Sequence, residues 1–203
     1  MKKTIYLSAI YISLFFVFSC GTKTNTDTSQ YTHDAAGFGK IQDEVIREFG
    51  TDAYYHYISV EYSPATETKK ENLLFKVEVT DNPDEKKLKL CSFNDPDYGV
   101  KWVHKDWMTF SIQGDASPAD FMFQLKDKCN LGKVGELLQK SIEKVSKEKS
   151  KKFILEKASI YAPENLGWQE YYISIRLQAE SDRYAHYRFE YNLDGDEVSA
   201  EDD

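Results

Sequence analysis

The sequence reads as an α+β protein with antiparallel sheets, each packed by one helix, in an α-β-β-β order that occurs twice in tandem. Three observations lead there. Apolar residues step by three and four at Phe38, Ile41, Val45 and Phe49, and again at Leu131, Val134, Leu138, Ile142 and Val145, the spacing that lines one side of a helix. Each of these stretches precedes runs in which apolar and polar residues alternate, the period of a half-buried strand. The run Tyr57-Ile58-Ser59-Val60 also returns as Tyr172-Ile173-Ser174-Ile175, which points to a repeated unit.

Residues 1–19 read as a targeting segment. Met1-Lys2-Lys3-Thr4 is basic, and Ile5 to Phe18 carries no charge over 14 residues, inside the range of about 7–15 expected for the apolar region of a secretory signal. A spanning helix needs about 20 apolar residues, and a polar stretch begins at Gly21 instead. Val17-Phe18-Ser19-Cys20 resembles the lipobox of a bacterial lipoprotein, in the looser form familiar from Bacteroidota, with Val17 for the usual Leu and Phe18 for the usual small residue. The resemblance implies cleavage before Cys20 and acylation of its sulfur, palmitate being one such chain. The mature protein is then held on a membrane of the cell envelope, at the outer membrane or a periplasmic face. Removing 19 residues, Lys2 and Lys3 among them, leaves 184 and takes the net charge from -8 to -10. Two or more acyl chains anchor such an acidic body without a basic patch.

Residues 20–34 are rich in Thr, Asn, Ser and Asp and read as a flexible tether, with an end-to-end distance of roughly 20 Å. The first module is expected over 35–126. A helix runs over 35–49 with Gly50 as its cap, followed by strands around Tyr57–Tyr62, Leu73–Thr80 and Leu88–Ser92. A further alternation spans 100–113, and Phe121, Phe123 and Leu125 make a short strand after Gly114-Asp115-Ala116-Ser117-Pro118. Ser117 and Pro118 also suit a helix start, as N-cap and first-turn residue.

The second module is expected over 127–195. Asn130 caps a helix that closes in the Lys-rich stretch Lys147–Lys152, favourable at a helix C-terminus. Strands follow at 153–161, 170–179 and 184–193. The whole is similar to tandem PepSY and β-lactamase-inhibitor-protein-like modules, and Tyr191–Val198 looks like a PepSY-type terminal hairpin. That likeness implies topology and no site residue. Residues 196–203 are expected to be a solvated acidic tail, with Asp196, Glu197, Glu201, Asp202 and Asp203 and no base.

Charge narrows the function. With 26 Lys and Arg against 34 Asp and Glu and a pI near 5.1, the chain offers no basic field for a phosphate backbone, so nucleic acid is not an expected partner. Catalysis has no motif. The histidines His33, His56, His104 and His186 fall in no metal-ligand spacing, there is no G-x-S-x-G or phosphate-cradling loop, and neither metal nor cofactor is expected. His104 and Asp106, two apart, would share a face of a continuous strand as an acid–base pair or as a polar kink. Asn192, Asp194 and Asp196 lack the downstream Glu of a calcium loop, and Gly195 reads as a hairpin residue. Cys91 and Cys129 are an even pair in an exported chain, to be joined in a disulfide or left as two buried thiols.

The candidate site is the outward face of the last two strands. If Ile173, Ile175, Leu177, Phe189 and Tyr191 point inward, then Tyr172, Arg176, Tyr184, His186 and Arg188 point the other way. Tyr and Arg are the residue types that anchor interfaces. The function expected is therefore non-catalytic protein binding by an envelope lipoprotein, as an inhibitor, immunity protein or accessory subunit. Glycan binding is the alternative, and would place Trp102, Trp107 or Trp168 on an exposed platform.

Overall fold

The computed structural model describes residues 31–68, 70–111, 115–126, 129–162 and 172–203. The order is α1 (Ala35–Phe49), β1 (Tyr54–Ser63), β2 (Asn72–Thr80), β3 (Lys87–Asp95), β4 (Gly99–Thr109), α2 (Leu131–Lys149), β5 (Phe153–Tyr161), β6 (Tyr172–Ala179), β7 (Asp182–Asn192) and β8 (Glu197–Asp202). Both helices end where their caps lie. The Asp34 carboxylate accepts from Gly37 N at 2.8 Å and the Asn130 amide oxygen from Lys133 N at 2.7 Å, each satisfying an orphan donor of the first turn. Gly50 closes α1 with φ +88°, a conformation Gly adopts without steric cost.

The expected plural sheets are replaced by one. Eight strands join in the order β4-β3-β2-β1-β5-β6-β7-β8, every pair antiparallel. The α-β-β-β order is corrected with it: four strands follow each helix, and the first strand of each set, β1 and β5, pair at the middle with Ser59 opposite Ser159. The Tyr-Ile-Ser match at 57–60 and 172–175 therefore relates β1 to β6, the first strand of one set to the second of the other.

Both helices lie on one side of this sheet. Phe38, Ile41 and Val45 of α1 and Leu131, Val134, Leu138 and Val145 of α2 form one core with Ile58, Val60, Phe75, Val77, Leu155, Ile160, Ile175, Leu177, Phe189 and Tyr191. Burying a side chain of this size stabilises by about 1.5–3 kcal/mol, so inward alternation sets the register of every strand. Two further expectations change. The segment 118–121 is a 3₁₀ turn with Ser117 as N-cap and Asp120 completing a capping box, and only Phe123 bridges to a strand, at Tyr55. The acidic tail is strand β8, paired with β7.

Candidate functional site

The face away from the helices carries three rows of side chains running across the strands. Register aligns Tyr57, Tyr161 and Tyr172 in the first row, Ser59, Ser159 and Ser174 in the second, and Glu61, Lys157, Arg176, Arg188 and Glu201 in the third. Ser59 and Ser159 are 0% and 3% exposed although no helix among the described residues covers them, whereas Ser174 is half-buried. Tyr57 and Tyr161 meet at 5.0 Å between ring centroids, and Lys157 Nζ stands 5.5 Å over the Tyr57 ring and 3.6 Å from Glu61. Burial opposes the Lys157 charge, but the Tyr57 hydroxyl, Tyr161 and Glu61 outweigh it and its pKa lies above the ordinary value. Burial raises that of Tyr57, so the pair rests as ammonium and neutral phenol.

Two bulges enrich this face. The register slips at His56 in β1 and at Glu156 in β5, and an extra residue in a strand re-aims side chains. His56 Nδ1 lies 2.7 Å from Glu78, and Glu156 reaches His186 Nδ1 at 2.8 Å and Arg176 Nε at 3.3 Å.

Of the expected site residues, Arg176, His186 and Arg188 are brought together, and acids meet all three. Arg176 Nε is 2.8 Å from Asp203, and Arg188 pairs with Glu201, whose hydrogen bond keeps the guanidinium pKa above its ordinary value. Tyr172 stands in the tyrosine row, four residues or about 13 Å along the strand from Arg176. Tyr184 lies past a register shift near the β6–β7 turn, 76% exposed, with the Arg183 guanidinium 4.8 Å from its ring. Sequence reasoning missed Tyr57, Tyr161 and Lys157. Their outward phase was legible, but the pairing of β1 with β5 was not. At the end of the charged row a recess of about 970 Å³ is lined by Glu61, Lys70, Glu71, Asp97, Glu156 and Lys157 among others.

Cys91 and Cys129 are both buried and free, so the disulfide is not formed in this structure. Cys91 Sγ instead sits 3.1 Å from His104 Nδ1, whose Nε2 is 3.6 Å from Glu48. This is the order of a nucleophile, a base and an orienting acid, but Cys91 is 3% exposed and burial pushes its pKa up to about 11. It rests as a neutral thiol. His104 and Asp106 are parted by a register shift: they oppose Cys91 and Leu90, neighbours on opposite faces of β3, and so form no pair. Asn192 and Asp196 hydrogen-bond to each other across the turn that holds Gly195, with Asp196 N donating to Asn192 Oδ1 at 2.9 Å. Among the described residues no group of three or more His, Cys, Asp or Glu is placed to hold a metal, and no helix is long and apolar enough to cross a membrane. Cys20 and Trp168 lie outside the described residues.

Comparison of the chain with family models, with curated proteins and with solved structures finds no match.

Proposed function

We propose that this is a lipid-anchored protein of the cell envelope that binds another protein through the open face of its sheet and does not turn over a substrate. The observation that carries the reading is that both described helices lie on one side, so that among the described residues no helix covers the opposite face of tyrosines and paired charges. Such a surface has the composition of an interface centre, where Tyr and Arg dominate binding energy. Its cations are already partnered, so a partner gains from shape and aromatic contact more than from bare charge.

The test is capture from native envelopes by cross-linking and mass spectrometry, with Arg176→Ala/Tyr184→Ala beside the wild type. Loss of the captured partner with a nearly unchanged melting temperature is expected, because an exposed ion pair such as Arg176–Asp203 contributes only about 0–1 kcal/mol. Equal capture by the double variant would move the site off this face. A second reading, glycan binding, rests on Trp107, which is 62% exposed on β4. Trp102 is half-buried and donates to Glu44 at 3.1 Å, so it offers no platform. Quenching of Trp107 fluorescence by envelope oligosaccharides, absent in Trp107→Phe, would favour that reading.

A further inference from the structure

Strand β8 is attached differently from every strand inside the sheet. Its one large apolar side chain, Val198, is 55% exposed, and none of its residues is buried. What holds it is backbone pairing with β7, irregular between Glu190 and Tyr191, the small Ala200 side chain against the core, the Ser199 hydroxyl donating to Glu190, and four ion pairs, one of them made by Asp203 just beyond the strand. Two lie on the helix side, Lys144 with Glu197 at 2.7 Å and Lys149 with Asp202 at 2.8 Å. The other two lie on the open side, Arg188 with Glu201 and Arg176 with Asp203. Exposed pairs of this kind each contribute little and weaken with salt.

Three of the four cations have a contact that does not involve β8. Lys149 Nζ stands 5.2 Å over the Tyr187 ring and Lys144 Nζ 5.5 Å over Phe189, and both rings belong to β7 and are buried. Arg176 is also held by Glu156. A cation stacked on an aromatic face keeps that position by its own attraction to the ring. The edge of β7 is therefore a partly preformed cleft: a row of unpaired backbone groups if β8 leaves, flanked by Lys144, Lys149 and Arg176, each of which also has a contact outside β8, and by Arg188, which meets Glu201 of β8 itself.

We infer that the β7 edge is a docking site for an extended acidic segment, that β8 is its resident occupant, and that an acidic segment of a partner takes its place by strand exchange. Main-chain pairing would supply the affinity and the alternating cations the selectivity, the mode in which a peptide completes a sheet. Acids must recur on both faces of the guest strand, as Glu197 and Asp202 do on one side and Glu201 on the other. This goes beyond the open-face reading, since it uses an edge and not the exposed Tyr184.

The experiment is fluorescence anisotropy of a labelled peptide carrying the sequence of residues 194–203, titrated with the full mature chain. Glu201→Lys/Asp202→Lys, which loosens the chain's own β8, should bind the peptide about tenfold more tightly than wild type. Added salt should weaken binding in both. Glu190 and Ser199 face each other across β7 and β8, with the close approach a disulfide needs. A Glu190→Cys/Ser199→Cys variant should therefore lose the peptide when oxidised and regain it on reduction. Equal binding to the oxidised and reduced forms overturns the proposal, as does equal binding of a peptide with Lys at its acidic positions, or no binding to the loosened variant. Tyr184→Ala should leave the peptide affinity unchanged, which separates this result from the fate of the open-face reading.

Discussion

Gly135 of α2 presses directly on Ala35 of α1: a Cβ at Gly135 would sit 2.8 Å from the Ala35 Cα and 2.7 Å from the Asp34 carbonyl oxygen. The two helices meet backbone to backbone there, and the contact seats both on the same side of the sheet. Two effects compete in Gly135→Ala. Helix propensity favours Ala by about 1 kcal/mol, whereas overpacking against atoms that cannot rotate away costs about 1–3 kcal/mol. The clash wins, and urea denaturation should show a net loss. Gly39 has nothing within 4 Å of its would-be Cβ, so Gly39→Ala should raise stability by about 0.5–1 kcal/mol. A stabilised Gly135→Ala would show that the helices part easily.

The buried thiols make the protein sensitive to alkali. Burial pushes Cys91 and Cys129 up to about 11 from the ordinary 9.0, so the folded state holds protons that the unfolded state releases. Their contribution is complete below the unfolded value and is lost as pH rises through the folded one. Chemical denaturation should show stability falling between about pH 9 and pH 11, less steeply in Cys129→Ala. Alkylation at neutral pH should be slow until denaturant is added, when mass spectrometry should find two modified thiols.

Asp95 contributes to the acid limb. Lys105 holds its carboxyl below the ordinary 3.8, helped by Asp97 N–H and the Ser92 hydroxyl. A lowered carboxylate stabilises the fold above its unfolded pKa and ceases to as pH falls through the folded one. Lys105→Met should therefore lose most stability near neutral pH and converge on wild type in acid, once the Asp95 carboxyl is protonated in the folded state. A constant deficit at all pH values would assign the loss to packing.

Cys20→Ala should release the protein from the membrane fraction, as expected if acyl chains at that cysteine are the anchor. Unchanged fractionation with residues 1–19 still attached would make that segment a span.

The sequence by itself determined the elements that depend on near neighbours. Gly50 and Asn130 mark helix ends because a cap acts within one turn, and the alternation of Ile173, Ile175 and Leu177 assigns faces because a strand has a period of two. That was enough to name Tyr172, Arg176 and Arg188 as outward. Only the tertiary structure decided what those residues stand beside. Ser59 meets Ser159 across a separation of 100 residues, and no local pattern encodes a pairing so distant. The bulges at His56 and Glu156 each add one residue and so invert the parity on which face assignment rests. Residues 197–202 are acidic enough to read as solvated. They form a strand because Lys144, Lys149, Arg176 and Arg188, drawn from a helix and two other strands, converge at the edge of β7. Local periods follow from covalent geometry, whereas sheet order, bulges and charge convergence follow from which distant surfaces the core brings together.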